Sequence, residues 1–118
     1  MNRPRIAMIA LAAAVAVAEA ATANRTIVRN DGPSEIGPIE LVQTDLGGRD
    51  VIRVRLRSLG PGESATSRHH ATDFSVTLRF VVAGREFTHE SGYIDLWSGE
   101  GWVFAIGADG SVDGRREK

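Results

Sequence analysis

Asp95 and Glu100 lie five residues apart, with Glu90 upstream and Tyr93, Trp97 and Trp102 interleaved. Carboxylates beside aromatic rings are the groups that glycoside hydrolysis uses. That reaction needs two carboxyls about 5 to 9 Å apart across a groove. The same rings, if exposed, are anchors for a partner protein or a sugar ring, because each buries a large apolar area with few rotors. Both tryptophans and the only tyrosine fall between residues 93 and 102. Strand alternation puts Trp97 on the face opposite Ile94 and Leu96, which predicts exposure. Trp102 shares phase with Phe104 and Ile106, which predicts burial.

Arg53, Arg55 and Arg57 form the second constellation. In a strand they occupy one face, successive members about 6.5 to 7 Å apart. Such a stripe suits an acidic protein or a polyanion, and it equally suits a solvated face whose long stems cover apolar surface. It lacks the aromatic platforms of a single-strand nucleic-acid binder. His69 and His70 are adjacent, so an extended backbone points them to opposite faces and they cannot readily share a metal, which needs three or four converging donors. Ser91 and Ser98 have no nucleophile-elbow spacing. No cofactor is expected.

These groups are carried by a chain whose repeating signal after residue 24 has period two. Strands are predicted over 26–29, 39–44 and 52–57, with a short one at 64–67. Further strands are predicted over 73–82, 86–89, 93–97 and 102–106, with brief pairing at 111–113. Phe74, Val76, Leu78, Phe80 and Val82 alternate with polar residues in the longest of them. Turns are read from Asn30-Asp31-Gly32-Pro33, Leu46-Gly47-Gly48, Gly60-Pro61-Gly62, Ala83-Gly84-Arg85, Ser98-Gly99-Glu100-Gly101 and Asp109-Gly110. The Ser98–Gly101 turn predicts a 93–102 hairpin. No stretch sustains a helical stripe. About seven short strands, with the brief pieces at 64–67 and 111–113 beside them, imply two packed sheets or a small barrel, since one flat sheet would leave its apolar face wet. The fold expected is all-β, a small β-sandwich.

The first 23 residues read differently. Arg3 and Arg5 precede a thirteen-residue apolar run from Ile6 to Ala18, and Ala21-Thr22-Ala23 follows. That is the pattern of a cleavable secretory signal. The run is shorter than the roughly 20 residues of a membrane-spanning helix. Residues 1–23 are therefore expected to be removed, leaving a 24–114 domain and a polar 115–118 tail, in the periplasm or outside the cell. The chain has no cysteine, which mildly favours a bacterial periplasm over a disulfide-stapled eukaryotic secreted module. Its formal net charge is -1, so composition points neither to nucleic acid nor to an anionic membrane.

Several pieces together resemble a family of small bacterial exported proteins of unknown function. They are Asn30-Asp31-Gly32, Ile39-Glu40-Leu41, Leu59-Gly60-Pro61-Gly62-Glu63-Ser64, Leu78-Arg79, Gly84-Arg85-Glu86-Phe87 and Gly92-Tyr93-Ile94-Asp95-Leu96-Trp97. The resemblance covers most of the mature domain. It implies an immunoglobulin-like or related sandwich in the periplasm and transfers no catalytic residue. The reading that results is a non-enzymatic binding or structural protein. It would engage a protein partner of the cell envelope through a sheet face or the 93–102 hairpin, using Arg53, Arg55, Arg57, Tyr93, Asp95, Trp97 and Glu100. The alternative is a small glycan-binding or hydrolytic enzyme using Asp95 and Glu100.

Overall fold

The computed structural model describes residues 23–117. Residues 1–22 of the predicted 1–23 leader lie outside them. Nine strands follow one another: β1 (Asn24–Asn30), β2 (Ile39–Thr44), β3 (Asp50–Leu56), β4 (Ser64–His69), β5 (Asp73–Val82), β6 (Arg85–Glu90), β7 (Ile94–Asp95), β8 (Gly101–Ile106) and β9 (Val112–Arg116). They form a four-stranded sheet of order β4-β1-β8-β9 and a five-stranded sheet of order β3-β2-β5-β6, with β7 also on β5. All pairings between these strands are antiparallel except β1 with β8, which is parallel. The described chain is therefore all-β and two-layered, with nine strands rather than about seven. Among the described residues no helix is long and apolar enough to cross a membrane.

The alternation in β5 does what its period requires. Phe74, Val76, Leu78, Phe80 and Val82 are buried, and they meet Val28, Phe104 and Ile106 from the other sheet. Burying a side chain of this size stabilises by about 1.5–3 kcal/mol, so the seam between the sheets holds the fold together. The β5–β6 hairpin turns through Ala83 and Gly84, both at positive φ (51° and 78°). That is the backbone of a tight two-residue hairpin turn matching strand twist. Gly110, φ 80°, closes the β8–β9 turn directly against the Phe87 ring, where a Cβ would collide with the ring.

Three expectations are corrected. Asn24, two residues ahead of the first strand predicted over 26–29, is itself in β1 and is 1% exposed. Its Nδ2 donates to the Ala71 carbonyl at 2.8 Å, and its Oδ1 accepts from the Glu100 amide at 3.0 Å. A buried amide so placed satisfies two loop backbone groups. The polar tail expected from Arg115 does not begin there: Arg115 and Arg116 extend β9, opposite Val103 and Trp102. Backbone pairing with β8 holds them in place of side-chain burial.

The 93–102 segment is not a hairpin. β7 pairs with β5, whereas β8 pairs with β1 and β9, so the chain crosses from one sheet to the other between Asp95 and Gly101. Ile94 and Leu96, each 2% exposed, are drawn into the core, and this leaves only two residues of regular strand.

Polar groups also bridge the layers. Thr26 Oγ1 in β1 donates to Gln43 Oε1 in β2 at 2.9 Å and lies 2.9 Å from His69 Nε2 in β4. With the hydroxyl proton used on Gln43, the geometry calls for His69 to be protonated at Nε2. His69 is 5% exposed and packs edge-on to Phe74, and burial is the main cause that pushes its pKa down. His70 points outward, as alternation predicts.

Candidate functional site

Trp97 is the most exposed large apolar side chain of the described residues, at 79%. The turn that carries it is held from several sides. The Trp97 amide donates to Glu100 Oε1 at 2.6 Å. The Glu100 amide reaches the Trp97 carbonyl and Asn24 Oδ1, and the Glu100 carbonyl accepts from the Arg25 amide at 2.9 Å. Arg116 donates to Glu100 Oε1 through one nitrogen and to the Asp95 carbonyl through the other, both at 2.9 Å. Just before Trp97, the Leu96 amide bonds the Thr72 carbonyl at 2.7 Å while the Leu96 side chain plugs the core. An indole presented on so constrained a turn loses little entropy when it is covered, which is the economy of an anchor residue.

Tyr93 is also exposed, and its hydroxyl donates a hydrogen bond to Asp73 Oδ1. Asp73 stands directly opposite Asp95 in the β5–β7 register. The hydrogen bond to Asp73 is the main cause that pushes the Tyr93 pKa up to about 12, with the charges of Asp73 and Asp95 acting in the same sense. Beyond Asp73 lies a shallow depression of about 430 Å³ that Leu46, Val51 and His70 also line. Leu46 and Val51 are 71% and 50% exposed. Asp73 thus joins Tyr93 and Asp95 to this apolar rim. Glu100 lies within the turn, where its carboxylate is an internal brace.

That bracing bears on hydrolytic chemistry. Oε1 of Glu100 accepts from both the Trp97 amide and Arg116, so this oxygen is engaged in bracing the turn. Among the described residues no three histidine, cysteine or acidic side chains converge as a metal would require.

The arginine stripe occupies the outer face of the five-stranded sheet. Arg53, Arg55 and Arg57 are all exposed, with Ile52, Val54 and Leu56 half-buried on the inner side. Arg53 bonds Glu40 at 2.8 Å and Asp50 at 3.0 Å. Arg57 donates to the Ser64 carbonyl at 2.9 Å and lies 3.6 Å from Glu63. The register places Arg55 and Arg79 on either side of Glu40, one on β3 and one on β5.

The residues that shape these surfaces and escape the sequence reading are Arg116, Asn24, Asp73 and Arg79. A leucine inside the Asp45-Leu46-Gly47-Gly48 turn was a legible signal of an exposed apolar tip. Nothing in the sequence links Arg116 to Glu100 without the β8–β9 pairing. Trp102 is half-buried against the core, and its Nε1, buried without a hydrogen-bond partner, lies over Gly114, where a Cβ would come to 2.9 Å.

No protein-family profile matches the sequence, and no curated protein matches it. Solved structures do share its architecture. A candidate cell adhesion protein from Bacteroides ovatus superposes with a TM-score of 0.59 at 10% identity, over 82% of this chain and 44% of that one. A protein from Eubacterium rectale superposes with a TM-score of 0.53 at 12% identity, over 82% of this chain and 90% of that one. The chain spans under half the length of the Bacteroides protein. At these identities the likeness is one of fold alone.

Proposed function

We propose that this chain is a non-enzymatic binding module of the bacterial cell envelope and that a protein partner is anchored by Trp97. The observation that carries the reading is the exposed indole on a turn braced by Glu100, Arg116 and Asn24. Structural needs alone do not call for a largely wetted tryptophan on a rigid turn, whereas protein interfaces favour it as an anchor. Tyr93, Leu46 and Val51 would supply the surrounding contact area. The fold shared with a candidate adhesion protein supports a binding role, though only at the level of architecture. The leader-like first 23 residues support export to the periplasm or beyond. An immunoglobulin-like sandwich is the finer description of the fold within this proposal, and the two facing sheets favour it.

Affinity capture from a periplasmic extract tests the proposal. The parent protein and a Trp97→Ala variant serve as baits, and bound proteins are compared by mass spectrometry. Loss of a specific partner with the variant is the expected result. The same set of partners on both baits would remove Trp97 from the interface.

A further inference from the structure

The outer face of the five-stranded sheet carries four arginines, and their pairing is uneven. Arg53 neutralises Glu40 and Asp50, and Arg57 is tied to the Ser64 carbonyl and Glu63. Arg55 and Arg79 are exposed and have no hydrogen bond or ion pair among the described residues. Each stands directly opposite Glu40, whose carboxylate is taken by Arg53. Together they flank a groove of about 480 Å³ whose walls include Pro38, Val81 and Glu86.

We propose that Arg55 and Arg79 form a clamp for an extended, carboxylate-rich segment of a partner protein. Two strand spacings separate them, about 10 Å between backbones. Acidic residues at alternate positions of an extended peptide are about 7 Å apart, within reach of two long guanidinium arms. Arginine pairs carboxylates in a fork, two N–H donors to two oxygens. Val81, 38% exposed, and Pro38 add apolar contact for the peptide stems. A nucleic acid is disfavoured because Phe80, the one aromatic residue lining the groove, turns its ring into the core and is 2% exposed, which leaves no base-stacking platform. Two carboxylates oppose an acidic ligand: Glu40 between the arginines, offset by its ion pair with Arg53, and Glu86, which faces Val81 across β5–β6 and repels the ligand at that end. This surface is separate from the Trp97 turn, so either proposal can fail without the other.

The test is fluorescence anisotropy with a labelled octaglutamate peptide at low and moderate salt, and a labelled oligothymidylate as the competing class. The clamp predicts saturable peptide binding that weakens several-fold as salt rises, by screening. The Arg55→Ser/Arg79→Ser double variant should lose about tenfold or more in affinity, as expected when two charged pairs are removed. Glu86→Gln should tighten binding about two- to threefold, and Trp97→Ala should leave it unchanged. Arg68→Ser, which removes an exposed arginine on the other sheet, is the control for non-specific attraction. Equal binding by the double variant, an equal loss with Arg68→Ser, or tighter binding of the oligothymidylate would each overturn the clamp. Circular dichroism and melting of every variant separate a lost contact from a lost fold.

Discussion

Arg116, on the last strand, binds the carboxylate of Glu100, sixteen residues earlier, at 2.9 Å. Its second nitrogen holds the Asp95 carbonyl. One guanidinium thus ties β9 to both sides of the turn that presents Trp97. The pair is partly solvated, with side-chain exposures of 46% and 31%, so its importance lies in the positioning of Trp97 more than in stability.

Arg116→Ala and Glu100→Ala should each cost only about 0.2–1 kcal/mol, the range of an exposed ion pair. Both should loosen Trp97. In a Trp102→Phe background the steady-state anisotropy of the remaining tryptophan should fall for each variant, with thermal melting nearly unchanged. Anisotropy equal to the parent's would mean that the other hydrogen bonds suffice to fix the turn.

Leu78→Asp should unfold the protein. Leu78 is fully buried on β5, between the paired strands β2 and β6. An unpaired carboxylate there costs several kcal/mol, against a total stability of about 5–15 kcal/mol for an ordinary domain. Thermal melting by circular dichroism reads the outcome, and a cooperative melt near the parent's would refute this core placement.

Tyr93 is the only tyrosine, so absorbance of its phenolate can be titrated cleanly. The midpoint is expected near 12 and not near the ordinary 10.0. Asp73→Asn removes the accepting carboxylate and should bring the midpoint down. Because the folded-state value is raised, the contribution of this group to stability is complete below the unfolded value of about 10. It is lost as pH rises from there through the folded value.

His69 gives the opposite sign. Burial lowers its folded-state pKa below the ordinary imidazole value of 6.5. The unfolded chain therefore binds the proton more readily. The contribution of the neutral imidazole is present above about pH 6.5. It declines as pH falls below that value and through the lower folded one. Melting temperature should drop on acidification across this range, and His69→Gln should flatten that dependence. An unchanged slope in the variant would assign the acid sensitivity to other groups.

Much of the fold was legible in the residue pattern because strand alternation is a local property. Arg53, Arg55 and Arg57 face outward as their spacing required, and Phe74, Leu78 and Phe80 face inward. The exposure of Trp97 followed from its phase against Ile94 and Leu96. The supposed 93–102 hairpin misled because the Ser98–Gly101 turn does close locally, with the Glu100 amide on the Trp97 carbonyl. Turn chemistry marks where a chain reverses and leaves its next partner open. The roles of Asn24 and Arg116 were hidden from the sequence because they depend on contacts 47, 76, 16 and 21 residues away.

By itself, then, the order of residues determined which side chains share a face, where the chain bends and that two apolar faces must seal each other. Those consequences follow from backbone geometry within a few neighbours. Tertiary structure alone decided that β1 lies parallel beside β8, that β7 and β8 belong to different sheets, and which arginines are left without a carboxylate. Pairing between distant strands is chosen by the total burial and hydrogen bonding of the assembled core, a sum over contacts that no local window of sequence contains.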